Sequence, residues 1–197
     1  MPGKKLQFLV IHCTATPAGR KVSADEIRQW HLGPRPEADG VVYKGEKFSA
    51  LSGLPPDKIG GVSVYKLKGR GWRQVGYSDM IHLDGRIENL VPYNTDALVD
   101  AWEITNGVMG RSNNSVMRHV VYVGGMAADN SQPEDTRTPA QHVSLLAYVQ
   151  QQIERVPDLL VAGHNQFDKK ACPSFSVVQW ALAKGLEPKN IYDKWPK

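Results

Sequence analysis

Two histidines and one cysteine, His12, His164 and Cys172, have side chains that could bind a metal ion. His12 follows the apolar run at residues 6–11, and His164 follows the run DLLVAG, so each histidine is expected at the carboxyl end of a buried strand. Cys172 comes eight residues after His164. Zinc binds imidazole nitrogen and thiolate sulfur, and a catalytic zinc site keeps three protein ligands and a fourth position for water. Such a trio also arises by chance, so the spacing alone leaves its use open.

Capping signals predict three helices around these residues. Ser23, with Glu26 three residues later, forms a capping-box pattern before the segment ADEIRQWHL. Thr138 and Gln141 form the same pattern, with a proline in the first turn and apolar residues at helical spacing after it. A last helix is predicted over residues 174–184, ending at Gly185.

Runs rich in β-forming residues predict the strands. Residues 72–83, which include Tyr77, are expected to form a strand that the turn dipeptide Asp84-Gly85 joins to RIENLVPY as a hairpin. Residues 116–123 predict a central strand. Residues 33–70 contain four prolines and many glycines, which favours a long loop or a small β excursion. The alternation predicts an α/β fold: a single domain over residues 1–197, with a central mixed β-sheet flanked by helices and a short C-terminal tail at 185–197.

Composition narrows the class of protein. With 197 residues, 41% hydrophobic and 22% charged, the chain is expected to be globular, and neither disordered nor a coiled coil. No stretch approaches the roughly 20 apolar residues of a membrane span. The apolar run near the start is too short for a signal peptide, so we expect synthesis in the cytoplasm. Two cysteines do not make a disulfide framework, and the net charge of +4 favours an anionic partner.

Five motifs occur in the order found in a known family: IHCTAT, GYSDMIHLDG, VVYVGG, TPAQ and HNQFDKKACPSF. In these motifs the chain resembles the type 2 N-acetylmuramoyl-L-alanine amidases, which include small phage lysozymes and, more distantly, the peptidoglycan recognition proteins of animals. The phage branch is the more similar. The resemblance covers nearly the whole chain apart from residues 33–70, which form an atypical insertion, and the last dozen residues.

The resemblance implies a role for each matching residue. His12, His164 and Cys172 occupy the zinc-ligand positions, while Tyr77 and Lys170 occupy positions that the phage enzymes use for catalysis. It implies zinc-dependent hydrolysis of the amide bond between N-acetylmuramic acid and L-alanine in peptidoglycan. Zinc would lower the pKa of bound water to about 7. The expected enzyme is a monomer with no nucleic-acid partner, acting on the cell wall after release as an endolysin does. Ser78 departs from the pattern, because the phage enzymes commonly have histidine there.

Several alternatives remain open at this stage. A peptidoglycan-binding module without catalysis is one, although Cys172 argues against it, because some animal relatives that lack catalysis also lack this ligand. An added regulatory role by protein contact, such as RNA polymerase inhibition, is another. Cys172 and His164 could instead serve as nucleophile and base of a cysteine hydrolase. Delivery by a secretion machine and cytosolic recycling are alternatives to phage-type release.

Other histidines and the second cysteine have simpler interpretations. Strand alternation points Cys13 to the opposite face of the sheet from His12, which favours a core position. His31, His82 and His119 lie near the predicted strands or the first helix and are expected to be structural, although His119 could also contact a metal ligand or the substrate.

Overall fold

The computed structural model describes residues 3–49, 58–59, 62–63 and 68–195. The chain divides into two compact units, one formed by residues 1–21 with 77–197 and the other by residues 22–76. Much of the expected insertion at 33–70 lies in the second unit, and its residues 50–57, 60–61 and 64–67 fall outside the described residues. The single-domain organisation over 1–197 stays a prediction.

Helices and strands alternate along the chain. In chain order the elements are β1 (Lys4–Lys5), β2 (Phe8–Cys13), β3 (Thr16–Pro17), α1 (Ala24–Leu32), β4 (Arg35–Glu37), β5 (Gly40–Tyr43), β6 (Glu46–Ser49), β7 (Lys58–Ile59), β8 (Val62–Ser63), β9 (Asp79–Ile81), β10 (Ile87–Asn89), β11 (Leu98–Val99), α2 (Arg111–Asn114), β12 (Met117–Tyr122), β13 (Gly125–Met126), α3 (Pro139–Arg155), β14 (Leu160–Gly163) and α4 (Val177–Ala183).

The larger unit is built on a five-stranded sheet with the order β10-β9-β12-β2-β14. Strands β9, β12, β2 and β14 run parallel, and β10 joins β9 as an antiparallel hairpin partner. Helix α3 packs against β9 and α4 packs against β14. The predicted fold class is therefore confirmed: the protein is α/β, with a central mixed sheet flanked by helices.

The two faces of β2 have different surroundings. Leu9, Ile11 and Cys13 point into the main core, which also contains buried side chains of α3 and α4 such as Val149 and Trp180. Because side chains alternate along a strand, Val10 and His12 face the other way. His12 is therefore presented on the face of the sheet that these helices do not cover.

Capping residues begin the helices where the sequence predicts them. Ser23 and Glu26 form the capping box of α1, and Thr138 and Gln141 form that of α3. Helix α4 begins at Val177, directly after Ser176 and three residues later than the start of the predicted segment, and Gly185 follows its end in a left-handed conformation with φ 75°. In the expected C-terminal tail, Leu186 and Ile191 are buried in the core.

The predicted strand at residues 72–83 is too long. Only Asp79–Ile81 form strand β9, and Tyr77 lies before it. The backbone N–H groups of Trp72 and Gly76 donate to the carbonyl oxygen and to Nδ1 of His31, respectively. Because these donors are used on His31, this part of the segment is not paired as a strand.

The unit of residues 22–76 contains α1 and a three-stranded antiparallel sheet with the order β4-β5-β6, together with the short pair β7–β8. The described part of residues 33–70 is therefore the small β excursion that was one of the two expectations for it. Within the described residues, no helix has both the length and the apolar character needed to cross a membrane.

Candidate metal centre

Parallel strand pairing brings the two histidines together. His12 is the penultimate residue of β2, and Gly163, the last residue of β14, is paired with Ile11. His164 comes directly after Gly163, so it lies beside His12 at the carboxyl edge of the sheet. The Nδ1 atoms of His12 and His164 are 3.1 Å apart, and both residues are buried.

Cys172 completes this group from the segment that follows β14. Its Sγ atom lies 3.8 Å from Nδ1 of His12 and accepts a hydrogen bond of 3.2 Å from the backbone N–H of Cys13. One ligand atom from each of His12, His164 and Cys172 lies within 4.8 Å of the others. These three donor atoms converge closely enough to hold a metal ion.

His119 contacts the other side of the His12 imidazole. It lies on β12, is completely buried, and places its Nδ1 atom 3.0 Å from Nε2 of His12. Burial lowers the pKa of His119 to about 3, so its ring is neutral near pH 7. If Nε2–H of His12 donates to Nδ1 of His119, the lone pair of His12 Nδ1 is directed towards His164 and Cys172, as a metal ligand requires.

Asp168 has the equivalent position beside His164. Its Oδ2 atom lies 2.7 Å from Nε2 of His164 and also accepts a hydrogen bond of 3.1 Å from the backbone N–H of Met109. A carboxylate at Nε2 keeps the proton on that nitrogen, which leaves Nδ1 of His164 free to bind a metal ion. The orientation of both imidazoles is thus fixed by a second residue.

The thiol of Cys172 is not an anion by itself. Burial raises its pKa well above the usual value for cysteine, and the neighbouring thiol of Cys13 acts in the same direction, whereas the backbone N–H of Cys13 and the positive charge of Lys170 oppose them. A positive ion between Cys172 and the two histidines would reverse this balance, because metal coordination deprotonates a thiol.

The two residues expected to be catalytic lie near the group without joining it. The ring centroid of half-buried Tyr77 is 5.1 Å from that of His12. The side chain of Lys170 is exposed, and its ammonium is close enough to influence the charge state of Cys172. Both flank the three candidate ligands, and their catalytic roles stay predictions.

The second cysteine and two other histidines, which were expected to be structural, contact residues outside the candidate metal centre. Cys13 lies in the main core, as strand alternation predicts, with Sγ 3.6 Å from the hydroxyl of Ser174. Nε2 of His82 is 2.8 Å from Glu88, and His31 accepts from Gly76.

Sequence reasoning missed Asp168 altogether. Its only signal is an acidic residue four positions after His164, which is too common a spacing to single out. His119 was noted, but its contact depends on the pairing of two strands and could not be read from the chain.

Comparison with known proteins identifies several phage relatives. The chain is 29% identical to the endolysin of Enterobacteria phage K11 over 174 residues, which cover 88% of this chain and 83% of that protein. It is 26% identical to the endolysin of Escherichia phage T7 over 172 residues, which cover 87% and 83% of the two chains. No family model matches the sequence.

Solved structures share the fold at lower sequence identity. The endolysin of Thermus scotoductus bacteriophage Ph2119 has a TM-score of 0.55 and 20% identity, and the match covers 95% of this chain and 89% of that one. The N-acetylmuramoyl-L-alanine amidase LysCS from Clostridium intestinale has a TM-score of 0.55 and 16% identity, with 95% and 90% covered. Bumblebee PGRP-SA has a TM-score of 0.55 and 14% identity, with 98% and 92% covered.

Proposed function

Because the chain belongs to the superfamily of type 2 N-acetylmuramoyl-L-alanine amidases and peptidoglycan recognition proteins, we propose that it is a zinc-dependent amidase of bacterial peptidoglycan. The bond cleaved joins the lactyl carbonyl of N-acetylmuramic acid to the nitrogen of L-alanine. The observation that carries this proposal is the convergence of His12, His164 and Cys172 at one edge of the sheet.

The spacing of the candidate ligands supports zinc as the metal. In a tetrahedral site with Zn–N near 2.05 Å and Zn–S near 2.3 Å, two nitrogen ligands are about 3.3 Å apart, and a nitrogen and a sulfur are about 3.6 Å apart. The corresponding separations are 3.1 Å between the histidine Nδ1 atoms and 3.8 Å between Sγ and Nδ1 of His12. Both separations are within about 0.2 Å of the tetrahedral values, and the three donor atoms all lie within 4.8 Å of one another.

The donor set also fits the proposed chemistry. Three protein ligands leave a fourth position for water, which is the pattern of catalytic zinc sites. When bound, zinc supplies Lewis acidity and an activated water near neutral pH. His119 and Asp168 are placed where each can hold one of the two imidazoles in the tautomer that binds metal. The exposed fraction of His164 is only 7%, so this ligand is shielded from bulk water, whereas Cys172 and Tyr77 are partly exposed.

Tyr77 and Lys170 are proposed to act on the substrate amide. As water adds to the carbonyl carbon, negative charge grows on its oxygen, and the Lys170 ammonium or the Tyr77 hydroxyl would stabilise that charge. Removing one such donor typically costs about 2.7–4 kcal/mol of barrier. The leaving nitrogen of L-alanine must gain a proton, and the Tyr77 hydroxyl could deliver it.

We further propose an endolysin-like setting. The relatives from phages K11 and T7 are named endolysins. In this setting the protein is made in the cytoplasm, reaches the cell wall after release and works there as a monomer on peptidoglycan. The net charge of +4 favours an anionic polymer of this kind over a neutral one.

Mass spectrometry of digested peptidoglycan tests the proposal directly. Purified sacculi are incubated with the protein and with its Cys172→Ser variant as the matched control. The expected product is a stem peptide with a free L-alanine amino terminus, absent from the control. Products cut at a glycosidic or cross-link bond, or no product from zinc-loaded protein, would overturn the assignment.

Metal removal separates zinc chemistry from thiol chemistry. Activity should disappear with a chelator and return with Zn²⁺, and the zinc-loaded protein should resist alkylation of Cys172. Activity that survives the chelator but is abolished by alkylation would instead indicate a cysteine nucleophile.

A further inference from the structure

The unit of residues 22–76 contains a pocket of about 400 Å³ that the proposed amidase chemistry does not use. Three cationic side chains, Arg28, Lys44 and Arg73, line it together with the single carboxylate of Asp25 and the rings of Tyr43 and Trp72. The volume is in the range of small-ligand sites, which are concave and combine apolar surface with a few polar groups.

One wall of this pocket is fixed by backbone hydrogen bonds at the end of α1. The N–H groups of four consecutive residues donate to carbonyl oxygens near the carboxyl end of the helix: Gly69 to Pro34, Arg70 to Trp30, Gly71 to Gly33 and Trp72 to His31. Carbonyl groups at a helix end usually carry partial negative charge. Because these carbonyl groups accept hydrogen bonds, their negative partial charge is reduced. They therefore offset little of the positive charge of the cationic side chains in the pocket.

The opposite wall is the turn between β5 and β6. Lys44 and Gly45 both have positive φ, 51° and 77°, which fits the tight turn that joins two antiparallel strands. Arg73 lies across this turn, because its Nε donates to the carbonyl oxygen of Lys44 at 3.1 Å. A β-carbon at Gly45 would lie 2.6 Å from Cγ of Arg73, so the glycine allows this close approach.

The charge of the lining is unbalanced. Arg28 is paired with Asp25 at 3.1 Å, whereas Arg73 has only a longer contact of 3.7 Å with exposed Glu46. Lys44 lies over the Tyr43 ring at 5.3 Å, and no carboxylate of the described residues forms an ion pair with it. The charge of Lys44 and the weakly paired charge of Arg73 therefore face an incoming anion, beside aromatic surface.

We propose that this pocket binds an oxyanion, a carboxylate or a phosphate, carried by a repeating unit of a cell-wall polymer. The identity of the polymer rests on the proposed function, while the preference for an oxyanion rests on the lining alone. Arg and Lys donate charge-assisted hydrogen bonds to such groups, and the Tyr43 and Trp72 rings would contact the carbon atoms next to the oxyanion. Binding here would hold the protein on the polymer without taking part in hydrolysis.

Binding of the Cys172→Ser protein to two polymers tests this proposal apart from catalysis. One polymer is purified sacculi stripped of phosphate polymers, which offers carboxylates, and the other is soluble polyglycerol phosphate. In this background the pair Lys44→Gln and Arg73→Gln removes two lining charges. The matched control, Arg35→Gln with Lys47→Gln, removes two charges of the same unit that do not line the pocket.

The pocket variant should bind at least one polymer about tenfold more weakly, corresponding to about 1.4 kcal/mol, while the control changes less than twofold. The polymer that is affected identifies the source of the oxyanion. Equal losses of affinity in the pocket variant and the control would indicate general charge attraction and overturn the proposal. Unchanged binding of the pocket variant to both polymers would also overturn it. Lys44→Gln alone, at an exposed position, repeats the test with little risk to folding.

These results are independent of the amidase reaction. Hydrolysis is measured with Cys172 intact on a small soluble muropeptide, which the pocket variant should cleave at the normal rate. If the parent protein did not cleave the muropeptide, the proposed function would be overturned. The oxyanion preference of the pocket would still be decided by the binding measurements.

Discussion

Gly107 lies against the imidazole of His119 so closely that it leaves no room for a side chain. A β-carbon at Gly107 would overlap Nδ1, Cγ and Cε1 of His119. The same Nδ1 atom faces Nε2 of His12. The backbone at Gly107 therefore holds the ring of His119 in the plane from which it contacts a candidate metal ligand.

Substitution of Gly107 by alanine should disturb the metal centre indirectly, by displacing His119 from its contact with His12. Overpacking of this kind typically costs about 1–3 kcal/mol of stability, and zinc affinity should fall because His119 must shift. Thermal unfolding and competition with a chromogenic chelator measure the two effects. Gly19→Ala is the comparison, since Gly19 has φ 77° but no atom within 4 Å of the added carbon. Zinc affinity equal to that of the parent would show that His119 does not need its position.

Loss of the His119 ring should weaken zinc binding directly. His119→Leu removes the acceptor for Nε2–H of His12, and such partners of a ligating histidine typically contribute about 10–100-fold in metal affinity. His82→Leu is the control, because His82 pairs with Glu88 instead of a candidate ligand. The measurement is again chelator competition. Similar affinities for the two variants would contradict the role given to His119.

The pair of substitutions Asp168→Ala and Asp168→Asn separates hydrogen bonding from charge. Asparagine keeps an oxygen that can accept from Nε2–H of His164, so it should retain most of the zinc affinity, whereas alanine should lower it about tenfold. Asp158→Ala, which removes an exposed carboxylate paired with Lys5, should have no effect. Equal losses for alanine and asparagine would assign the effect to charge alone.

Cys13 and Cys172 should respond oppositely to removal of their thiols. The backbone N–H of Cys13 donates to Sγ of Cys172, but its own thiol lies in the core near Ser174. Cys13→Ala should therefore keep zinc in a one-to-one ratio and keep amidase activity, whereas Cys172→Ala should lose both. Metal content by atomic emission and a hydrolysis assay measure this. Loss of zinc from Cys13→Ala would require a different ligand set.

His31 should make stability depend on pH. Burial first, and the charge of Arg70 second, lower its pKa from 6.5 to about 4. Between these values the unfolded chain binds a proton that the folded chain does not, so the free energy of unfolding should fall as pH drops from about 6.5 to about 4. The change from this residue is at most about 3 kcal/mol and ends below pH 4.

Denaturant unfolding at several pH values compares the parent with His31→Gln. The variant should lose this part of the pH dependence. A parent curve that stayed flat between pH 6.5 and 4 would contradict a neutral buried His31.

Local signals were sufficient for helices α1, α3 and α4 and for the two strands that end next to His12 and His164, but not for the short helix α2. The capping residues Ser23 and Thr138 mark real helix starts because a side-chain cap needs only neighbours three residues away. The prediction of a strand at Tyr77 is wrong. The backbone N–H groups of Trp72 and Gly76 donate to His31, about forty residues earlier in the chain, and no local sequence pattern contains such a contact.

The sequence by itself determined which residues could bind a metal, because imidazole and thiolate chemistry belongs to the residue types and the strand signals placed His12 and His164 at strand ends. Only the tertiary structure decided that His119 and Asp168 orient those imidazoles, and that Arg28, Lys44 and Arg73 share one pocket. Such contacts depend on which strands pair, in what register, and how loops return to a helix end. These are long-range choices fixed by the packing of the whole chain.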